Sequence, residues 1–221
     1  MKKPEPNAIR TAGDENCYIY FDTEFTKLNR ETELISIGLV SADGKSFYAE
    51  FTDFTLPLDN RWLISNVITK LHLNEEENTV TGDHWTVKGT KEEIREQLIP
   101  WIESTRKYEN QIVQFVSDVA HYDFVLLVEL LLGHPQLSAL DLPNYISPCV
   151  YDINHDIAEI MMRAKTQRIL NEGVKNYIPI FDAFDCPREA LAKAMLSQKG
   201  IEEIPGEQHD ALHDADRKSV V

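Results

Sequence analysis

Cys17-Tyr18-Ile19-Tyr20-Phe21-Asp22-Thr23-Glu24-Phe25 begins as an aromatic and β-branched run and ends in two acidic residues spaced one apart. Cys17 to Phe21 reads as a strand, with the acidic pair at its end. Residues i and i+2 of a strand point to the same face, so Asp22 and Glu24 can aim both carboxylates into one site. Two acidic groups that close repel each other and need a compensating cation. Taken alone, the pair is also what a solvated strand end looks like in an acidic chain.

Working outward, Leu34 to Val40 is a second apolar run, Ser41-Ala42-Asp43-Gly44 is a turn signal, and Phe47 to Phe51 returns as a third strand. Short connections between three neighbouring strands predict an antiparallel meander. Asn60 to Leu73 reads as helical, and the acidic stretch Asn74 to Asp83 as an exposed loop. Thr90-Lys91-Glu92-Glu93 has capping-box form, and Ile94, Leu98, Trp101 and Ile102 repeat at helical spacing. Pro100, inside that helix, should kink or shorten it.

Gln111 to Val116 reads as a buried strand and Tyr122 to Leu132 as a buried helix closed by Gly133 and Pro135. Asp152 to Met162, Pro187 to Lys199 and the end from Gln208 also read as helices. A crossover helix after the third strand would lay the strand at 111–116 parallel to the first. The expectation is an α/β fold, a mixed sheet covered by helices on both faces. Residues 1–15 read as a polar lead-in and 16–221 as one domain, without an internal repeat.

The 221 residues are 43% hydrophobic and 27% charged, ordinary globular usage that argues against a disordered, collagen-like or coiled-coil chain. Three cysteines without C-x-x-C spacing point to neither a disulfide framework nor a zinc knuckle, and suit a reducing cytoplasm. Phe124 to Leu132, the longest apolar stretch, contains Glu129 and falls far short of the ~18 residues of a membrane span. Twenty-two basic against 37 acidic residues give a net charge of −15, which argues against a protein that coats DNA through lysine and arginine. An enzyme whose bound cations meet the phosphate is compatible with that charge.

Two further segments can carry chemistry. Asp123 stands at the start of an apolar helix, the place of an N-cap, and a capping carboxylate can also bind a metal. Asp118 is its local competitor. In His209-Asp210-Ala211-Leu212-His213-Asp214, His209 and Asp214 diverge if both are helical, and converge more easily if His209 lies in the preceding loop. His209 and His213 also have the i, i+4 spacing of zinc ligands, without the glutamate of a zinc protease or an obvious third ligand.

In order along the chain, D-x-E at Asp22 and Glu24, Y-D at Tyr122 and Asp123, and H-x(4)-D at His209 and Asp214 resemble the DEDD superfamily of 3′ to 5′ exonucleases in its His-containing (DEDDh) branch. Tyr20 to Phe25 with Glu33-Leu34-Ile35-Ser36-Ile37-Gly38 and the Asp-Gly hairpin is most similar to the RNase T-like exoribonucleases of mycobacterial type. The likeness spans about Tyr18 to Lys218. It departs in Val119-Ala120-His121, where many members carry an asparagine, and in ending seven residues after Asp214, short for the last helix.

The resemblance implies a ribonuclease-H-like sheet, antiparallel in its first three strands and then parallel, and stepwise hydrolysis of RNA from the 3′ end. It implies two divalent cations, Mg2+ or Mn2+, held by Asp22, Glu24, Asp123 and Asp214, with His209 as general base. Single-stranded RNA or a 3′ overhang is the expected partner. Phe25 could stack on the terminal base, with Thr23, Ser36 and Tyr122 as minor contacts. The basic stretch Arg163, Lys165, Arg168 and Lys175 could contact phosphates or be a solvated helix face, and Trp62, Trp85 and Trp101 read as core. The same site would serve a proofreading-type DNA exonuclease, a silent interaction domain could retain the fold, and homodimers occur among relatives.

Overall fold

β1 runs without a break over Cys17–Phe25, so that Asp22 and Glu24 lie within the strand and not in a turn after it. A computed structural model describes residues 16–72, 78–118, 120–134 and 136–155 together with Ala211, Leu212 and Ala215. Along β1 burial alternates: Cys17, Ile19, Phe21 and Thr23 are buried, whereas Tyr20, Asp22 and Glu24 are half-buried on the other face. That alternation is the period of two expected of a strand with different covers on its two faces.

β2 (Leu34–Ser41) and β3 (Ser46–Phe51) complete the predicted antiparallel meander around the turn at Gly44, whose φ of 89° suits glycine. Register places Asp22 opposite Gly38 and Glu24 opposite Ser36. One residue, Ile35, is left over between the pairs Glu24↔Ser36 and Phe25↔Leu34, a bulge at the end of the ladder that carries the acidic pair.

The stretch read as one helix from Asn60 divides into α1 (Arg61–Asn66), capped by the Asn60 side chain, and a 3-10 turn over Ile68–Lys70. Leu63 and Val67 from this segment form a small separate cluster with Ile35. The acidic stretch read as a loop ends in a strand. β4 (Thr79–Thr81) pairs with β5 (His84–Gly89) through Gly82, and β5 lies parallel to β3. This hairpin extends the sheet beyond the meander.

α2 (Lys91–Thr105) starts on the predicted capping box between Thr90 and Glu93 and buries Ile94, Leu98, Trp101 and Ile102. It is not shortened at Pro100, which is exposed. Burial of Trp101, Ile102 and Thr105 keeps the last turn helical despite the missing N–H. β6 (Val113–Ser117) returns parallel to β1. α3 (His121–Leu132) follows and closes on Gly133, at φ 67°. β7 (Tyr151–Asp152) lies parallel to β6, where the sequence reading starts a helix.

Strand order is β4-β5-β3-β2-β1-β6-β7, a mixed α/β sheet in which only β2 and β4 run against the others. The core face of β1 packs with residues of α2 and α3 around Trp101, Phe47, Phe21 and Phe115. Trp62, by contrast, is exposed. The other face is covered by helix too. A Cβ at Gly38 would lie 2.3 Å from backbone atoms of Ala211 and Leu212, which are helical. Gly38 shares its face with Asp22, so this helix backbone rests on the face that carries the acidic pair.

Candidate active site

The pairing of β1 with β6 ends at Tyr20↔Val116, but β1 continues to Phe25. Beyond that point β1 needs another acceptor for its backbone on this side. Asp123, in the first turn of α3, supplies it: its Oδ1 accepts the Thr23 backbone N–H at 3.1 Å and the Thr23 hydroxyl at 2.6 Å. The acidic pair and Asp123 are thereby joined through the residue between Asp22 and Glu24.

Asp123 is not the N-cap that its place before an apolar run suggests. Ala120 holds that position and provides no side-chain cap, and Asp123 is the third helical residue. Its carboxylate stays near the positive end of the helix, where negative charge is favoured. It is Asp123, and not Asp118, that bonds to Thr23.

Phe25 and Tyr122 form a second link between the same elements. Their rings stack with centroids 5.8 Å apart and planes 26° from parallel. The Tyr122 hydroxyl donates to the Leu28 carbonyl at 3.0 Å, which fastens the loop after β1 to α3. Both rings remain half-buried, and Phe25 also packs against the core.

Thr23 and Ser36 are 4% and 2% exposed, so neither offers much surface to a ligand. Thr23 acts on Asp123 instead. Ser36 lies between Glu24 and Glu50 in register across three strands. Glu50, a buried carboxylate on that row, accepts the Tyr48 hydroxyl at 2.9 Å and the His72 backbone N–H. Tyr48 and Glu50, two apart in β3, were the available sign that polar groups share the sheet face of the acidic pair.

At the end of β7, burial works to raise the Asp152 carboxyl, but hydrogen bonds from Asn154 and Ala120, with His155 nearby, hold it below the usual carboxylate range. On the core side, burial pushes the Cys17 thiol up, and it bonds to Thr105, consistent with a packing role. His209, Asp214, His213 and the basic stretch at 163–175 lie outside the described residues.

Asp22, Glu24 and Asp123 are oxygen donors, the chemistry preferred by hard divalent cations. Thr23 gives Asp123 the fixed orientation that ligating carboxylates generally require. The residues therefore fit such ions in kind. Among the described residues, no three histidine, cysteine or acidic side chains already form a group able to hold a metal. Nor is any described helix long and apolar enough to cross a membrane.

No family profile matches the chain. Two curated 3′-5′ exoribonucleases, from two strains of Mycobacterium tuberculosis, are each 40% identical over 52 residues, 24% of this chain and 31% of theirs. The match thus spans under a third of those relatives. Among solved structures, a 3′-exonuclease described in its 3′-end specific recognition of histone mRNA stem-loop superposes with a TM-score of 0.54 at 10% identity, over 92% of this chain and 61% of that one. Pop2p of S. pombe, in a form with Mg2+ and Mn2+ bound, gives 0.42 at 15% identity over 91% and 79%. The sheet and its helices are the same α/β fold as in the stem-loop exonuclease.

Proposed function

We propose that this chain is a metal-dependent 3′ to 5′ exonuclease of DEDDh type, with RNA as its substrate. The observation that carries the reading is the pair of hydrogen bonds from Thr23 to Asp123, which joins the first two acidic motifs across a hundred residues of chain. The Ala211–Leu212 backbone against Gly38 supports it, because the third motif flanks a helix seated on the face of Asp22. The similarity to mycobacterial exoribonucleases favours RNA over DNA.

In this reading Asp22, Glu24, Asp123 and Asp214 hold two divalent cations. Such ions, when bound, stabilise charge on the attacking and leaving oxygens of phosphodiester hydrolysis. His209 accepts the proton of the attacking water, a role suited to an imidazole with an ordinary pKa near ~6.5. Thr23 holds Asp123 in place. Phe25 and Tyr122 present an aromatic surface on which the 3′-terminal base stacks. Four ligand carboxylates and two cations also reconcile an acidic chain with a polyanionic substrate.

The test is cleavage of 5′-labelled single-stranded RNA and DNA with Mg2+ or Mn2+ against EDTA, beside the double variant Asp22→Ala, Glu24→Ala. Stepwise shortening from the 3′ end that needs metal and vanishes in the double variant is expected. Equal or better DNA cleavage overturns the RNA assignment. No cleavage of either leaves a silent interaction domain as the better account, and activity that survives the double change places the chemistry elsewhere.

A further inference from the structure

Thr26 belongs to none of the three motifs, yet it is buried, at 4% exposed, just past the end of β1 and two residues beyond Glu24. Its N–H donates to the Glu33 carbonyl at 2.9 Å, and its hydroxyl accepts the Glu33 N–H at 3.0 Å. In a regular antiparallel pair two such residues exchange both bonds through their backbones. Here the second bond goes to a side chain. The Glu33 carboxylate in turn accepts the Thr55 N–H at 3.0 Å, so Glu33 is anchored to the loop after β3 and offers Thr26 a fixed partner.

The two edges of β1 show why its acidic end needs this closure. Toward β6, regular pairing stops at Tyr20, and the Asp123 carboxylate takes over at Thr23. Toward β2, the ladder is interrupted beside Glu24: Ile35 is left over between Glu24↔Ser36 and Phe25↔Leu34 and packs with Leu63 and Val67 instead. A bulge breaks the ladder locally and increases its twist. Pairing resumes at Phe25↔Leu34 and is closed by Thr26 and Glu33. Glu24 and Phe25 thus lie between a break and a closure.

We infer that Thr26 is a positioning residue for Glu24 and Phe25: its hydroxyl bond to Glu33 closes β1 on β2 beyond the bulge, and so fixes the direction in which the strand carries the Glu24 carboxylate and the Phe25 ring. The inference rests on the exonuclease reading only for what Glu24 holds. The closure itself stands on the fold.

The test compares the full chain with Thr26→Val, which keeps the branched shape and the backbone donor without the hydroxyl, and with Thr26→Ser, which keeps the hydroxyl. Amide hydrogen exchange at Thr26 and Glu33 should rise tenfold or more in Thr26→Val, with the Ile19 to Phe21 amides unchanged, and should return toward wild type in Thr26→Ser. Thr26→Ala also lacks the hydroxyl and carries the comparison if the valine variant fails to fold. Unchanged exchange at Glu33 overturns the inference, and equal acceleration throughout the sheet makes Thr26 a general anchor, which also overturns it.

Mn2+ alone is the second probe. Its binding, titrated without RNA, should weaken about tenfold in Thr26→Val, the lower end of the range for groups that support metal ligands, and recover in Thr26→Ser. The nuclear Overhauser contact between the stacked Phe25 and Tyr122 rings should weaken in the same variant. Released amides with the Mn2+ affinity or the ring contact unchanged make Thr26 a local tie and overturn the positioning role. A wild-type chain that binds no Mn2+ and cuts neither RNA nor DNA sinks the exonuclease reading, while the ring contact in Thr26→Val still decides whether Thr26 positions the end of β1.

Discussion

The Asp123 carboxylate takes both the backbone N–H and the hydroxyl of Thr23, at 3.1 and 2.6 Å. Thr23→Val keeps the branched shape and the backbone donor but removes the hydroxyl. We expect kcat on RNA to fall about tenfold to hundredfold, the range seen when a ligand's supporting hydrogen bond is lost. Thr23→Ser should retain most of the rate, and steady-state kinetics of the two variants check this.

Gly38→Ala should be costly despite its size. The new methyl would lie 2.3 Å from backbone atoms of Ala211 and Leu212, which cannot move as a side chain tip can. Overpacking of this kind costs about 1–3 kcal/mol. Urea unfolding should show that loss, and an unchanged midpoint would mean that the helix is not seated on Gly38.

Phe25 and Tyr122 separate a ring contribution from a hydroxyl contribution. Phe25→Ala removes one ring of the stacked pair, and with base stacking worth about 1–3 kcal/mol the KM for RNA should rise roughly 5- to 150-fold. Tyr122→Phe keeps the ring and loses only the bond to Leu28, so its KM should stay within about threefold of wild type. Equal effects in both variants would argue against base stacking.

Stability should depend on pH at both extremes for identifiable reasons. Hydrogen bonds from the Thr90 backbone and side chain hold Glu93 below its usual value, so its contribution is present above the unfolded pKa and is lost as pH falls through the folded one. Glu93→Gln should flatten the acid limb of a urea-midpoint profile. Burial, with the bond to Glu103, pushes Tyr145 up to about 12, so its contribution is complete below the unfolded pKa near ~10 and is lost as pH rises towards 12. Tyr145→Phe should flatten the alkaline limb.

The meander, the capping box of α2, the parallel return of β6 and the Gly133 stop of α3 were legible because each depends on a local period or a local cap. The β4–β5 hairpin was not, since an exposed three-residue strand after an acidic run has little pattern of its own. β7 is two residues long and exists through its pairing with β6, so local sequence missed the strand and started at Asp152 the helix that begins at Asn154. Asp123 was singled out as a cap that could also bind a metal, but it is the third helical residue and not the cap. The partner that redirects its carboxylate lies a hundred residues away, where no local rule reaches.

The turn at Ala42, Asp43 and Gly44 is exposed and sits at the opposite end of the β1–β2 ladder from Glu24, with open space around Gly44. Loop tips of this kind tolerate insertions. A fluorophore, an affinity handle or a link to a solid support placed there would leave the acidic end of the sheet facing free solution. Single molecules could then be tethered by one end and watched while substrate is fed to the other.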